Sequence, residues 1–401
     1  MIANYTLRCS GCKTPAPRSE QPCAACGDLL EFSLEAPNVR REEAREYAAE
    51  VLARRTSLDA LDRSGVWRWR ELLPSIPRAA VVTLAEGNVP LYDVPQLAEE
   101  LGIRNLSLLH LGMNPTGSFK DLGMTVAISA AHAAGASSAI CASTGNTASS
   151  MAAYAARANM TAYAMVPRAK IAAAKLAQMR DYGAQLLEVD GSFDDALATL
   201  LGRENEAAVV NSINPYRIEG QKCAAFIMLE ARAWNVPDWV VVPGGNLGNS
   251  SALGKGFREA LALGLIERLP RIAVVQAQGA APFVAVLDRG GELIPVAAQT
   301  RASAIAIGSP KSWRKARAEL EACQGVAIAV SDDEIDDAKA TIGGAGIGCE
   351  PASAATLAGI RRLRSSGTIA TDAEVVAVLT GHVLKDGEAS LRVADRRDAS
   401  R

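Results

Sequence analysis

Charge of one sign is missing from this sequence. Its 42 Lys and Arg stand against 44 Asp and Glu, a net −2 over 401 residues. A chain so balanced has no electrostatic footprint for DNA, RNA or an anionic membrane. No run of about 18 apolar residues occurs, which excludes a transmembrane helix. The opening MIANYTLRCSGC lacks the basic-then-apolar order of a secretory leader. The expected compartment is the cytoplasm, where thiols stay reduced and disulfides are a poor account of eight cysteines. Aromatic residues are scarce at 4%, and histidine is limited to His110, His132 and His382. Three scattered histidines build neither an acid–base triad nor a His-rich metal site, which weakens hydrolase and metalloenzyme readings. With 49% hydrophobic and 21% charged residues, disorder and coiled coil do not fit either. The length allows two or three domain-sized units.

Four cysteines fall in one window, as Cys9-x-x-Cys12 and Cys23-x-x-Cys26. Each C-x-x-C turn aims two thiolates at one point, and two turns supply the four soft ligands of tetrahedral zinc. Gly11 and Gly27 are read as allowing the tight backbone of each knuckle. A redox pair is the other use of such a turn. Four thiolates close the shell, so this zinc would be structural and leave no open catalytic position. Cys141, Cys223, Cys323 and Cys349 stand apart in apolar surroundings and are expected as buried small hydrophobes.

Residues 39–63 are charged and helical in period, with Gly65 as the expected stop. Short apolar runs then alternate with Ala-rich helical stretches. Strands are expected at 105–110, 138–142, 161–166, 184–189, 207–211, 239–243, 272–276 and 374–379. Helices are expected at 147–158, 193–203, 219–234, 252–263, 313–323 and 352–366. Ser192 with Asp195 reads as a capping-box variant. Trp313, Ala316, Leu320 and Cys323 read as a core stripe, and the closing RVADRRDASR as a solvated tail. Strands alternating with helices mean an α/β fold: mostly parallel sheets covered by helices on both faces. Ligands then sit at the carboxyl ends of strands.

The polar clusters lie at those ends. In NPTGSFKD the turn Asn114–Ser118 leads into a helix, which sets Lys120 at a helix N-terminus. The positive end of the dipole favours a neutral, nucleophilic amine there, although the segment alone also suits a surface lysine. In CASTGNTASS, Ser143, Thr144, Asn146 and Thr147 join exposed N–H groups at a helix start. That makes a carboxylate site or an ordinary capped turn. In VVVPGGNLGNSSALGKGF a strand, a glycine loop and a helix follow in order. Gly245, Asn246, Leu247, Gly248 and Asn249 can wrap N–H groups around a phosphate, yet the loop is neither G-x-G-x-x-G nor the Walker loop. A last strand ends in Thr380-Gly381-His382. Together these parts suggest an electrophilic, phosphate-bearing cofactor held by Lys120 and the glycine loop, the profile of pyridoxal 5'-phosphate.

At EGNVPL (86–91), NPTGSFKD (114–121), ASTGNTAS (142–149), NSINPYRIEGQK (211–222), PGGNLGN (243–249), SAIAIGSPKSW (303–313), CEPASAA (349–355) and LTGHVLKD (379–386), the chain resembles the threonine synthase family of fold-type II pyridoxal-phosphate enzymes. NPTGSFKD marks only the wider group; NSINPYRIEGQK, AIAIGSPKSW and TGH-LKD mark threonine synthases. The resemblance runs from about residue 85 to 390, with an N-terminal ribbon found in some members. It implies two doubly wound parallel-sheet domains plus a small zinc ribbon. The implied division is a ribbon at 1–35, a helical part and the start of the large domain at 36–110, a small substrate domain at 111–210 and a large cofactor-phosphate domain at 211–395.

The activity implied is a cytoplasmic, homodimeric lyase of threonine biosynthesis, turning O-phospho-L-homoserine and water into L-threonine and phosphate. Lys120 would carry the cofactor and move the protons. Asn146 would bond the cofactor's ring hydroxyl, Gly245 to Asn249 would hold its phosphate, and Thr380 would face its pyridine nitrogen. Ser143, Thr144 and Thr147 fit the substrate carboxylate. Arg217 and Lys175 are the candidates for the substrate phosphate, with a solvated helix lysine as the plainer reading of Lys175. Leu111, Val383 and Leu122 depart from the usual glutamate, glycine and arginine. The first two bear on substrate choice and leave room for a relative such as cysteate synthase, acting on O-phosphoserine. A silent zinc-ribbon scaffold is the rival of another class.

Overall fold

The computed structural model describes residues 3–16, 22–35, 39–167, 173–189 and 207–399. In chain order its elements begin β1 (Tyr5–Cys9), β2 (Leu30–Leu34), α1 (Arg41–Ala53), β3 (Leu91–Asp93), α2 (Pro95–Leu101), β4 (Asn105–His110), α3 (Lys120–Ala133), β5 (Ser138–Ala142), α4 (Asn146–Arg157), β6 (Thr161–Pro167), α5 (Ala173–Asp181), β7 (Gln185–Val189) and β8 (Ala208–Val209). They continue with α6 (Pro215–Ala231), β9 (Trp239–Pro243), α7 (Gly248–Ala262), β10 (Arg271–Ala277), α8 (Pro282–Arg289), α9 (Trp313–Ala322), β11 (Val326–Val330), α10 (Asp332–Gly344), α11 (Pro351–Ser365), β12 (Glu374–Leu379) and α12 (Gly387–Ala399).

Two compact units result. The first takes Met1–Asn88, Asn114–Ile227 and Ala262–Leu265, and the second takes Val89–Met113, Met228–Leu261 and Ile266–Arg401. The first unit holds the antiparallel pair β1–β2 and a parallel four-stranded sheet in the order β7-β6-β5-β8. Its core packs Met124 and Ile128 of α3 and Met151, Ala152 and Tyr154 of α4 around Ala139 and Cys141 of β5. The second unit holds a six-stranded sheet in the order β11-β10-β9-β12-β4-β3, parallel except for the edge strand β3. Strand β9 (WVVVP) is buried at every position. A strand covered on both faces must be apolar throughout, which is why its sequence does not alternate. Both units are thus helix-covered parallel sheets, as the α/β rhythm implied.

The expected strands are present, with β8 shorter than the run 207–211. The helix at 193–203 and the Ser192–Asp195 cap lie outside the described residues. Trp313, Ala316, Leu320 and Cys323 are each buried, and so, separately, are Cys141, Cys223 and Cys349. Three expectations are corrected. The helix over 39–63 stops early, at Ala53, and one 3-10 turn follows at Arg54–Thr56. Arg54 is pulled inward there, donating to the Arg68 carbonyl at 2.6 Å and to Glu71 at 2.7 and 2.8 Å. Gly65 is not a helix stop: its N–H donates to the Glu86 carbonyl at 2.6 Å, and any Cβ there would overlap the Gly87 backbone. The closing segment is helical through Ala399, because Val393 is buried and Arg392 forks onto the buried Asp336 at 3.2 Å through two nitrogens.

Candidate active site

The NPTGSFKD turn is folded by its own side chains. Fully buried Asp121 accepts the Thr116 N–H at 2.7 Å, the Thr116 hydroxyl at 2.6 Å and the Ser150 hydroxyl of α4 at 2.6 Å. Asn114 Oδ1 accepts the Gly87 N–H at 2.8 Å. Lys120 is consequently the first residue of α3, half-buried, with Nζ 4.2 Å from the Phe119 ring centroid. Burial pushes the Asp121 carboxyl up to about 6, and the donors from Ser150 and Thr116 only partly oppose it.

Beside it, β5 ends in the STGNT loop. Asn211 clamps that end, its Oδ1 accepting the Ala142 N–H at 2.9 Å and its Nδ2 donating to the Ala142 carbonyl at 3.1 Å. The Ser143 hydroxyl accepts the Gly145 N–H at 3.1 Å, and buried Asn146 opens α4. Thr144 and Thr147 are half-buried on the same loop. The Lys175 carbonyl accepts from Ser149 of α4 at 3.4 Å. Its side chain is buried, so it is not a solvated helix lysine.

Helix α6 carries Arg217 against these elements. It crosses α3 at two glycines: a Cβ on Gly220 would overlap the Leu122 carbonyl, and one on Gly123 would meet the Arg217 carbonyl at 2.6 Å. The Arg217 side chain is 0% exposed. Its Nη1 donates to the Val210 carbonyl at 3.2 Å, while Nε and Nη2 have no hydrogen-bond partner among the described residues. Burial lowers its pKa to about 10. Lys120, Ser143, Thr144, Asn146, Thr147, Lys175 and Arg217 all belong to one unit.

The other unit holds the remaining candidates. Between β9 and α7 the loop Gly244–Leu247 is pressed against its neighbours. A Cβ on Gly245 would meet the Ala304 carbonyl at 3.1 Å, and Leu247 adopts φ +63. Asn246 Oδ1 accepts the Lys311 N–H at 2.7 Å, so this side chain ties down the SPKSW segment. Asn249 Nδ2 and Oδ1, Ser250 Oγ and Ser312 Oγ are buried without partners among the described residues. Of these, Asn249 Nδ2 and the two hydroxyls are donors, and at the positive end of a 15-residue helix they suit an anion. Thr380 follows β12, and its hydroxyl lies 3.2 Å from Ser353 Oγ. Ser353 Oγ also accepts the N–H groups of Thr380 at 2.9 Å and Gly381 at 3.0 Å. His110 Nε2 lies 2.8 Å from the Gly348 carbonyl, and burial lowers the pKa of both His110 and His382. Leu111 is buried, and half-buried Val383 fills the space at Gly348, where a Cβ would meet it at 2.7 Å.

At the N-terminus the four thiols of Cys9, Cys12, Cys23 and Cys26 lie within 4.8 Å of one another. Both turns are built alike: Cys9 N–H donates to Thr14 and Lys13 N–H to Cys9, as Cys23 does to Asp28 and Gly27 to Cys23. The left-handed positions are Lys13 (φ +60) and Gly27 (φ +77). Gly11 is thus not the residue that turns the first knuckle; it is small because a Cβ would meet Asp28 Oδ2 at 2.7 Å.

Residues 82–381 match the model of a family described as pyridoxal-phosphate dependent enzyme. The chain is 42% identical over 375 residues to a threonine synthase of Methanocaldococcus jannaschii, covering 92% of this chain and 90% of that protein. It is 39% identical to the threonine synthase of Methanosarcina acetivorans, covering 98% and 95%. The chain belongs to the threonine synthase family of pyridoxal-phosphate dependent enzymes. The fold agrees with a solved maize serine racemase at TM-score 0.66, with 19% identity, over 91% of this chain and 99% of that one. Among the described residues no helix is long and apolar enough to cross a membrane.

The donors around Asn249, Ser250 and Ser312 suit the phosphate of the family's cofactor, and a lysine at a helix start suits its aldehyde. Sequence reasoning about the threonine synthase motifs missed Asp121, Asn211, Ser312 and Ser353. Each stands inside a matched motif, and only its three-dimensional partners give it a task.

Proposed function

We propose that this chain converts O-phospho-L-homoserine and water into L-threonine and phosphate. The observation that carries this reading is Arg217, a fully buried guanidinium with two unpartnered nitrogens in the unit that holds Lys120. An arginine so placed needs an anion, and a phosphate dianion matches its fork. Lys175, also buried, is the second cation for that group. The loop residues Ser143, Thr144 and Thr147 take the substrate carboxylate through hydroxyls and helix-start N–H groups. Asn146 would bond the cofactor's ring hydroxyl, and Gly245 to Asn249 would hold its phosphate through backbone and the Asn249 side chain. Thr380 would offer the pyridine nitrogen a neutral hydroxyl.

When bound, pyridoxal phosphate supplies an electron sink for charge developing at Cα. Lys120 anchors it. The Lys120 amine would take the Cα proton and a Cβ proton, protonate Cγ after phosphate leaves there with the C–O bonding pair, and return a proton to Cα once water has added its oxygen at Cβ and given up a proton. One lysine serving both tasks suits a chain whose His110 and His382 are held less basic than usual by burial.

A structural zinc on the four cysteines is supported by their spacing: ligands at about 2.3 Å in a tetrahedron put sulfurs about 3.8 Å apart. The Cys9–Cys26 and Cys12–Cys23 pairs stand at 3.3 and 3.9 Å. A homodimer and a cytoplasmic location are inferred from the family resemblance. The unit with Lys120 is read as the substrate part and the unit with the glycine loop as the cofactor-phosphate part. The deciding experiment is turnover of O-phospho-L-homoserine with L-threonine identified by mass, run beside O-phosphoserine with sulfite. Preference for the second pair overturns this reading in favour of cysteate synthesis.

A further inference from the structure

The helix that carries Arg217 is gripped from one side by the N-terminal ribbon. Tyr216, Glu219 and Lys222 recur at three-residue spacing and share a face of α6. Phe32 of β2 packs on Tyr216 with ring centroids 4.8 Å apart. Tyr5 of β1 covers Lys222, whose Nζ donates to the Tyr5 hydroxyl at 2.9 Å and lies 4.2 Å from the ring centroid. Lys222 also pairs with Glu219 at 2.5 Å, and both side chains are 0% exposed. The Tyr5 hydroxyl donates onward to the Leu72 carbonyl at 3.0 Å. A buried ion pair is tolerated only when its geometry and remaining donors are satisfied. The ribbon therefore supplies both the lid and a partner for a pair that begins two residues beyond Arg217. Its own apolar centre is small, made of Cys9, Cys23 and Leu30 with Leu7 and Ala16 packed on it. Two short strands with so little core need a further tie, and the four thiols provide the place for one.

We propose that Tyr5 and Phe32 are positioning residues for the substrate's phosphate. The folded ribbon fixes the first turns of α6, so that the Arg217 guanidinium stays at the dianion site. Metal on the four cysteines thereby acts on substrate affinity and not on bond breaking. The inference rests on reading Arg217 as the phosphate ligand.

The test uses the holoenzyme with Tyr5→Phe, which deletes one hydroxyl and keeps the ring. Inorganic phosphate serves as the competing probe. Losing one buried hydrogen bond to an ammonium corresponds to about a tenfold weakening. KM for O-phospho-L-homoserine and the inhibition constant of phosphate should each rise about tenfold, while kcat changes by less than about twofold. Amide exchange over residues 215–222 should quicken. Phe32→Leu should act in the same direction. Wild-type holoenzyme stripped with a chelator should behave alike, and zinc should restore it. Arg217→Lys is measured in parallel. If it weakens phosphate inhibition while Tyr5→Phe leaves KM, inhibition and exchange unchanged, the ribbon does not position Arg217. If Arg217→Lys also leaves phosphate inhibition unchanged, the reading of Arg217 itself falls. A drop in kcat at constant KM shows a general scaffold and overturns the inference.

Discussion

Replacing Arg217 with Met should make the substrate-free protein more stable and the enzyme far worse. The guanidinium is wholly buried, keeps one hydrogen bond to the Val210 carbonyl, and has a pKa lowered from the ordinary guanidinium value to about 10, chiefly by burial. Each pKa unit is about 1.4 kcal/mol, so holding this charge without an anion costs roughly 3 kcal/mol. The sign follows from the direction of the shift. A folded pKa below the unfolded one means the fold prefers the neutral form, so the penalty is complete below pH 10 and fades only as pH rises from there toward the ordinary guanidinium pKa. At pH 7 it is present in full. Methionine has similar reach and no charge, and buried charges replaced by apolar groups often stabilise. In phosphate-free buffer, urea denaturation of the Arg217→Met holoenzyme should give a higher midpoint, by up to roughly 3 kcal/mol. Inorganic phosphate at a hundredfold its dissociation constant should stabilise wild type by about 2.7 kcal/mol and leave the variant unmoved. Its kcat/KM should fall by about a hundredfold or more, the loss typical of one charged hydrogen-bonded partner. A variant less stable than wild type without phosphate would mean the guanidinium serves the fold. Equal protection of both proteins by phosphate would put the dianion elsewhere.

Lys120→Ala should abolish turnover, and borohydride-trapped cofactor in wild type should map to the peptide containing Lys120; label on another lysine removes the anchor assignment. Gly220→Ala should destabilise by about 1–3 kcal/mol, because the new methyl overlaps the Leu122 carbonyl where α6 crosses α3, and kcat/KM should fall with it. Gly343→Ala, in a helix with nothing within 4 Å of the added carbon, should be neutral or slightly stabilising when measured by the same urea midpoints. Asp121 has a folded pKa raised to about 6 from 3.8, so its stabilising contribution is complete below pH 3.8 and is lost as pH rises through 6. The stability of wild type relative to Asp121→Asn should therefore decline by roughly 3 kcal/mol between pH 4 and 7, and a pH-independent difference would contradict it.

Local order was legible wherever one segment contains its own cause. Strand, glycine loop and helix follow one another at 239–262, and the turn before Lys120 precedes a helix, so both placements could be read directly. Some local signals went unread. Ser331 and Glu334 form a full capping box that announces α10, and VAIAV at 326–330 is the edge strand β11. Gly11 misled because its smallness answers to Asp28, a residue on the other knuckle.

The sequence by itself determined the chemistry available: a lysine at a helix start, an anion loop, two C-x-x-C turns and an α/β alternation, all set by residues close in the chain. The tertiary structure alone decided which groups are left without partners. The motif marked Arg217 as a candidate, but only α6 shows it buried, with its hydrogen bond to Val210, seven residues back. Tyr5 gains meaning only by meeting Lys222 across 217 positions. Ser353 reaches the Thr380 hydroxyl across 27. Desolvation and unmet hydrogen-bonding capacity depend on everything packed around a group, and most of those neighbours come from distant segments of the chain.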